Sequence, residues 1–417
     1  SPRGRERLDV LVPRVLEAAA TGPRPAGTLE RVFNLLEAVA RRSVYLALLA
    51  EHPQALARLV KLCAASSWIA THLTRYPLLL DDLLNPATLY APLDRRQLVS
   101  ELDQQLARVP VLDAEELLNA LRYFKQGSVL RVAAADVSGA MPLMIVSDHL
   151  TEIAEVLLCK VLELAWTDLL LRFGPPECVV DGVKREARFA ILAYGKLGGI
   201  ELNYGSDLDL VFLHDSVGGH QVTAGPRQID NTAFFAKLVQ RIIHLLTTRT
   251  GAGDLYEVDT RLRPSGRAGL LVSSFEAFAE YQQRQAWTWE HQALARTRAV
   301  AGPAALTERF QAIRREVLGR ERDPVTLRRE VRDMRERMRA ELDASAAGTF
   351  DLKQGRGGIA DIEFVVQYAV LGNASRYPEL LTYTDNIRQL DGLERCGVFS
   401  VADAARLRNA YRSLRRR

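Results

Sequence analysis

The sequence predicts an α+β protein in which one small α/β domain lies between two largely helical regions. Apolar residues recur at three- and four-residue spacing from Leu8 to about Phe124 and again after Gly302, as is typical of amphipathic helices. From Ala187 to Leu271 the spacing shortens to two, which is typical of buried strands. Strands confined to one stretch, with helices on both sides of it, indicate this architecture.

Helix signals fix two of the elements around the α/β domain. The long apolar segment before it has Ser147 as a plausible N-cap and ends at Gly174. Inside the domain one helix is opened by Asp230 or Asn231 and closed by Gly251. Three strands are predicted in the stretches RFAILAYG, LDLVFLHD and LYEVDTRLR.

Composition narrows the function classes. The 417 residues are 48% hydrophobic and 25% charged, as in ordinary globular proteins, and suffice for roughly two or three domains. The net charge of +4 is too small to indicate nucleic-acid binding, and no apolar run is long enough to cross a membrane. The four cysteines form no CxxC pair, which argues against a zinc knuckle or a disulfide framework and fits a reducing cytoplasm.

Two aspartates open the second strand. Side chains alternate along a strand, so Asp207 and Asp209 point to one face, about 7 Å apart by strand rise. Like charges this close repel, and a divalent cation such as Mg²⁺ between them explains the pair economically. The alternative is a turn with solvated carboxylates.

A glycine pair precedes the aspartates. If Gly198 and Gly199 form the turn into a short helix, phosphate oxygens can approach their backbone N–H groups, and Lys196 lies beside them. The alternative is a glycine loop with a solvated lysine. Ser206 caps or turns the chain.

The third strand is the most informative. Alternation sends Glu257, Asp259, Arg261 and Arg263 to one face, which a salt-bridged surface strand would also show. After a strand that opens with two aspartates, however, Asp259 supplies the third carboxylate of a two-metal phosphoryl-transfer site, with arginines for the phosphate charge.

These features resemble the nucleotidyltransferase fold of DNA polymerase β and its relatives. Four long stretches in order, together with the helical start, are similar to the glutamine synthetase adenylyltransferase family: YGKLGGIELNYGSDLDLVFLHD, VDTRLRPSGRAGLLVSS, AWTWEHQALARTRAVAG and DLKQGRGGIADIEFVVQY. That bacterial family has two similar halves, one removing AMP from a tyrosine of glutamine synthetase and one attaching it.

The residues of these motifs are more similar to those of the attaching half. The resemblance implies a fragment with a helical linker or regulatory region over 1–140, a nucleotidyltransferase domain over 141–303 and an incomplete C-terminal helical domain over 304–417. It implies that Asp207, Asp209 and Asp259 hold Mg²⁺ and that Asp259 helps to deprotonate the attacking tyrosine. It also implies nucleotide contacts to ATP from Gly198, Gly199, Lys196, Ser206, Arg261 and Arg263.

The partners implied are glutamine synthetase, a PII-type signal protein and glutamine as an effector, with no nucleic acid and no membrane. Two alternatives stay open: phosphorolytic removal of AMP from modified glutamine synthetase, and a regulatory module that binds PII-type proteins. A nucleic-acid polymerase fits less well, because no basic stripe interleaved with aromatics accompanies the carboxylates.

The last part of the chain offers further candidates. We expect the arginine-rich run 314–339 to be a solvated helix face with i,i+4 ion pairs. Lys353 and Arg356, in a glycine-rich loop, are candidates to meet nucleotide or protein. Asp361 and Glu363 favour the N-terminus of the helix that follows.

Overall fold

The structure is a computed structural model that describes residues 2–110, 113–346 and 348–416. Its helices and short strands confirm the predicted α+β class. The chain forms two compact units, one made of Ser1–Val156 with Arg249–Leu255 and the other of Leu157–Thr248 with Tyr256–Arg417. Among the described residues, no helix combines the length and the apolar character that crossing a membrane requires.

The first unit is helical, as the three- and four-residue spacing predicts. Buried leucines and valines line the inner faces of its helices. A capping box, in which Asp94 and Gln97 bond each other's backbone N–H, starts α7. The elements are α1 (Pro2–Ala20), α2 (Pro25–Val39), α3 (Ser43–Glu51), α4 (Pro53–Ala65), α5 (Ser67–Arg75), a 3₁₀ helix (Pro77–Leu84), α6 (Pro86–Leu89), α7 (Arg95–Leu106) and α8 (Ala114–Val137).

The segment Arg249–Leu255 belongs to this helical unit. Arg122 on α8 donates from Nε to the Gly253 carbonyl at 2.7 Å, and the Lys125 ammonium donates to the Leu255 carbonyl. Burial lowers the pKa of Lys125 to about 8. The backbone of this segment is therefore held by side chains from α8.

The long helix α9 spans Leu143–Phe173. The prediction that Ser147 caps it is wrong, because a first turn has already formed upstream: the Ile145 and Val146 N–H groups bond the Pro142 carbonyl at 3.0 and 3.2 Å. The predicted end is confirmed. Gly174 follows the helix with a φ of +73°, a conformation that glycine adopts without strain.

The second unit contains two small sheets. β2, β1 and β5 form a three-stranded antiparallel sheet, and the second sheet has the order β6-β4-β3-β8, with β7 also paired to β4. The elements are β1 (Pro176–Val180), β2 (Val183–Glu186), β3 (Phe189–Ala193), α10 (Gly195–Gly198), β4 (Leu208–His214), β5 (Gly219–Thr223), α11 (Asn231–Thr247), β6 (Val258–Asp259), a 3₁₀ helix (Gly266–Ala268), β7 (Val272–Ser274), α12 (Phe275–Arg284), α13 (Thr288–Ala295) and β8 (Arg298–Ala301).

Helix α11 packs an aromatic face onto the second sheet. The Phe235 ring stacks on His214 at 4.5 Å and on Phe189 at 6.0 Å between ring centroids. Asp230 caps the helix through its Oδ1, as predicted, whereas the helix ends at Thr247 before the predicted Gly251. The two central strands predicted from the apolar runs are confirmed as β3 and β4, so the sheet core follows directly from the sequence.

The remaining helices are α14 (Ala304–Leu318), α15 (Pro324–Leu342), α16 (Ile359–Asn373), a 3₁₀ helix (Pro378–Leu381), α17 (Asn386–Arg395) and α18 (Val401–Arg415). The arginine-rich run 314–339 is not a uniformly solvated face. Arg314 is buried and donates to the carbonyls of Leu294, Ala295 and Leu381, and Arg335 is buried beside Asp361. Local charge patterning could not reveal this, because the acceptors lie far along the chain.

Candidate active site

Two aspartates meet across neighbouring parallel strands. β4 and β6 pair with Asp209 as the register partner of Asp259 and Leu208 as that of Val258. A hydrogen bond of 2.9 Å from the Leu208 N–H to the Glu257 carbonyl fixes the pairing. Neighbouring strands lie about 4.8 Å apart, and directly paired residues point to the same face of the sheet. The side chains of Asp209 and Asp259 therefore leave the backbone next to each other.

The environment of Asp209 differs from that of its neighbours. Asp207, just before β4, is exposed, whereas Asp209 is partly buried. Burial, then Asp207 and Asp259, raise the pKa of Asp209 to about 6, against the opposing effects of Arg261 and Lys353. Asp209 therefore lies in a negative environment that a cation would relieve.

Strand β6 is shorter than predicted. It ends at Asp259, where the chain turns back, so a single strand over 255–263 with four charges on one face is wrong. The Arg261 N–H donates to Asp259 Oδ1 at 2.8 Å and its Nε donates to Oδ2 at 2.7 Å. These hydrogen bonds from Arg261 hold the pKa of Asp259 below its usual range despite partial burial.

Arg263 has a local role in the structure. Its guanidinium donates to the carbonyls of Thr260 at 2.9 Å, Arg267 at 3.2 Å and Gly269 at 3.2 Å. Ser265, with a φ of +60°, reverses the chain and brings these carbonyls together. Arg263 thus holds the turn after β6, and its contact with nucleotide stays a prediction.

The carboxylates suit Mg²⁺ by their chemistry. In the part of the chain that the structure describes, no three His, Cys, Asp or Glu side chains are placed to hold a metal ion together. Both Asp259 oxygens accept hydrogen bonds from Arg261. The donor set nevertheless consists of the hard carboxylate oxygens that Mg²⁺ prefers, around a partly buried Asp209. By the chemistry of their oxygens, these residues fit the ion.

Gly195, which the sequence interpretation did not single out, lies against Asp209. It has a φ of +55°, and a Cβ there would lie 2.2 Å from Asp209 Oδ2. The neighbouring Tyr194 N–H donates to the Asp209 carbonyl at 2.9 Å. Its position directly after the buried strand β3 was the available signal, because a tight turn from a strand into a helix often requires glycine.

The glycine pair is predicted to open a short helix, but in the structure it closes one. Gly198 is the last residue of α10, and the N–H groups of Gly198 and Gly199 donate to the carbonyls of Tyr194 and Gly195 at 2.9 and 3.0 Å. A Cβ at Gly199 would lie 2.5 Å from an Arg296 nitrogen. The pair therefore permits close packing of protein against protein, and its contact with phosphate stays a prediction.

Gly198→Ala is expected to lower the free energy of unfolding by about 3 kcal/mol, because the new methyl group meets backbone. Its Cβ would lie 2.0 Å from the Arg296 carbonyl oxygen and 2.4 Å from that of Ala193. Urea unfolding measures the effect. Gly205→Ala is the control, since no atom lies within 4 Å of its Cβ, and we expect a change within about 0.5 kcal/mol. Equal stability of the two variants would contradict the packing argument.

Lys196 and Ser206, which are also predicted to contact nucleotide, lie near this turn. Lys196 is on α10, where burial, and then Lys353 and Arg415, lower its pKa. Lys353 thus acts on both Lys196 and Asp209 from the loop before α16. The Ser206 hydroxyl accepts from the Asn203 N–H at 3.0 Å, as a residue that turns the chain.

A buried polar network next to the turn was missed by the sequence interpretation. Glu363 bonds Arg296 at 2.6 Å, so its expected role at a helix N-terminus alone is wrong. Arg296 also pairs with Glu201, and Tyr411 donates to Glu201 at 2.6 Å. Burial disfavours the Arg296 cation, but Glu201 and Glu363 outweigh it and raise its pKa above the ordinary range. These partners are 67 to 210 residues apart, so no local pattern reports them.

Comparison with known proteins fixes the family. The model of the glutamate-ammonia ligase adenylyltransferase family matches residues 56–313. The chain belongs to the glutamate-ammonia ligase adenylyltransferase family. A second family model, PII-uridylyltransferase, matches residues 326–417.

Curated members of this adenylyltransferase family are similar along the whole chain. Each is named bifunctional glutamine synthetase adenylyltransferase/adenylyl-removing enzyme. The protein of Thioalkalivibrio sulfidiphilus is 57% identical over 99% of this chain, that of Nitrosococcus oceani 54% over 100%, and that of Hahella chejuensis 52% over 99%. The chain spans 43% of the length of each of these relatives.

Proposed function

We propose that this chain transfers AMP from ATP to a tyrosine of glutamine synthetase and releases pyrophosphate, as part of the control of nitrogen assimilation in the cytoplasm. The observation that carries the proposal is the parallel pairing of Asp209 with Asp259 beside the Gly195 turn, in a chain of this family. Two carboxylates on adjacent strands, one of them packed against a glycine turn, suit metal-assisted phosphoryl transfer.

The proposal includes a polymerase-β-like nucleotidyltransferase domain over 141–303. On either side of this domain, we propose a linker or regulatory region over 1–140 and a C-terminal helical domain over 304–417. The order β6-β4-β3-β8, with the aspartates on β4 and β6, supports this division of roles. The loop before α16 contributes Lys353, which acts on Asp209.

In this mechanism Asp207, Asp209 and Asp259 hold Mg²⁺. When bound, the ion neutralises the triphosphate and polarises the phosphate that is attacked. Arg261, which donates to Asp259, would be available to the phosphate oxygens if Asp259 held the ion. Lys196 supplies a second positive charge from α10.

The chain's own groups then position the reaction and move the proton. Asp259 accepts the proton of the tyrosine hydroxyl. The tyrosine oxygen attacks the α-phosphorus, the bond to the pyrophosphate oxygen breaks, and pyrophosphate leaves. Gly198 and Gly199 contribute through the shape of the turn, and Ser206 and Arg263 by fixing the loops on either side.

The decisive experiment supplies ATP labelled in the α-phosphate, Mg²⁺ and unmodified glutamine synthetase to the full chain. Label is expected on the synthetase with the wild type and not with Asp209→Asn. Label that survives in the variant, or no label with a folded wild type, contradicts the proposal. Release of ADP from AMP-modified synthetase and phosphate would instead assign the removing reaction, which the relatives' printed name also includes.

A regulatory role is the second candidate, because residues 326–417 match the PII-uridylyltransferase model. We propose that a PII-type protein and glutamine modulate the transfer. Calorimetry with a PII-type protein and, separately, with Mg-ATP distinguishes the two functions. Binding of the PII-type protein without binding of nucleotide would favour a module without catalysis.

A further inference from the structure

The carbonyl groups of the glycine turn, residues 194–201, are held by side chains from much later in the sequence. The Leu197 carbonyl accepts from Arg298 at 3.0 Å, and the Gly198 carbonyl accepts from Arg298 at 2.9 Å and from Thr384 at 2.7 Å. The Glu201 carbonyl accepts from Arg415 at 2.9 Å. Donors from β8, from the loop before α17 and from the end of α18 therefore meet on one short turn.

The side chain at the end of the turn is held as well. The Glu201 carboxylate is 1% exposed and accepts from Arg296, from the Asn386 N–H at 3.0 Å and from the Tyr411 hydroxyl at 2.6 Å. Burying a carboxylate is costly unless several donors satisfy it. Such complete satisfaction fixes the position of Glu201 closely, because any displacement leaves a buried charge without its partners.

The same turn touches the carboxylate site at its other end. Gly195 lies so close to Asp209 that a Cβ would come within 2.2 Å of Oδ2, and the Tyr194 N–H bonds the Asp209 carbonyl. Only a few residues separate this contact from Gly198 and Glu201. A displacement of the anchored end is thus transmitted to the backbone and side chain of Asp209.

We propose that these donors, the turn clamp, are positioning residues for the nucleotide and metal site. The turn clamp comprises Arg296, Arg298, Thr384, Asn386, Tyr411 and Arg415. It acts through the carbonyls of the turn and the Glu201 carboxylate, and from there through Gly195 on Asp209, without touching the reacting atoms. The proposal rests on the proposed function for its effect on nucleotide, and on the structure alone for its effect on the turn.

Thr384 offers the cleanest test, since one hydroxyl carries its contact with Gly198 and the side chain is buried. Thr384→Val keeps the volume and removes the donor, whereas Thr384→Ser keeps the donor. In the full chain, Thr384→Val is expected to speed hydrogen exchange of the amides 195–201 by about 3- to 10-fold. It is also expected to weaken binding of a non-hydrolysable ATP analogue with Mg²⁺ by a similar factor, and, in AMP transfer from ATP itself, to change KM more than kcat.

The matched variants make the outcome decisive. Thr384→Ser should restore wild-type exchange and affinity. Arg408→Ala, which breaks ion pairs with Asp391 and Glu394 on the same C-terminal helices, should change neither. Equal exchange over 195–201 in the Val and Ser variants, or a lowered unfolding temperature in Thr384→Val with unchanged local exchange and affinity, overturns the inference. If the wild type binds no nucleotide, the proposed function fails, and exchange over 195–201 still decides the role of the clamp.

Discussion

Asp209→Asn is expected to reduce AMP transfer by at least about a thousandfold and, in the metal-free protein at pH 8, to raise stability. The loss of transfer follows from the proposed function, in which Asp209 is a charged metal ligand whose removal forfeits about 4 kcal/mol of transition-state stabilisation. The gain in stability follows because the ionised carboxylate is partly buried among like charges in the folded protein. A raised folded pKa means that the charged form opposes folding.

The pH dependence fixes the sign of this effect. The pKa of Asp209 is about 6 when folded, against an ordinary value of 3.8. The protonated form stabilises the fold, and that stability is lost as the pH rises through about 6. The advantage of Asp209→Asn should therefore be full above pH 7, at most about 3 kcal/mol, and should shrink below pH 6 and vanish near pH 4.

Thermal unfolding at pH 8 and pH 5, with and without Mg²⁺, measures these changes. Mg²⁺ should stabilise the wild type and not the variant, because only the wild type offers the full set of carboxylates. Asp207→Asn is the comparison variant: Asp207 is exposed, so its removal should raise stability at pH 8 less than Asp209→Asn does, through the lost repulsion of Asp209 alone. A metal-free Asp209→Asn that is less stable than the wild type at pH 8 would show that the charge is already compensated.

Arg296→Met is expected to lower the free energy of unfolding by about 3 to 5 kcal/mol, as removing one partner leaves Glu201 and Glu363 without their cation. Both Arg296 and Glu201 are buried, so water cannot replace the lost interaction. The double variant Glu201→Gln with Arg296→Met should lose less than the sum of the single changes, because it removes both charges.

Urea unfolding with a double-mutant cycle checks this expectation. Arg284→Met is the matched control: its ion pair with Glu280, 3.2 Å long, is exposed on both sides, and we expect a loss below about 1 kcal/mol. Additive losses for Glu201→Gln and Arg296→Met would mean that the two side chains do not depend on each other. A loss below 1 kcal/mol for Arg296→Met would contradict the buried network.

The sequence predicts what local patterns determine. The strands β3 and β4 follow from apolar runs, and α11 begins at Asp230 because its side chain caps the helix. Local sequence patterns do not predict the structure where a turn or a partner distant in sequence determines it. The alternation over 255–263 is that of a strand, yet the turn at Ser265 and the bond from Arg261 to Asp259 end the strand early.

The candidate site shows the same division. The aspartates could be placed, because two lie one residue apart at the start of a buried strand and the third lies on the strand that pairs with it. The packing of the glycines could not, because Gly199 faces Arg296, which lies 97 residues later. Charge patterning likewise predicted a solvated Arg314, whose acceptors lie on other elements.

The turn clamp also sets an order of events during synthesis. A ribosome makes the strands β3 and β4 long before Thr384 and Arg415 leave its exit tunnel, so the Gly198 and Glu201 carbonyls lack these two donors at first. The nascent sheet can pair early, because its strands are close in sequence. The turn acquires all of these hydrogen bonds only when α18 has emerged. A chain released before that point would lack the complete nucleotide site that we propose.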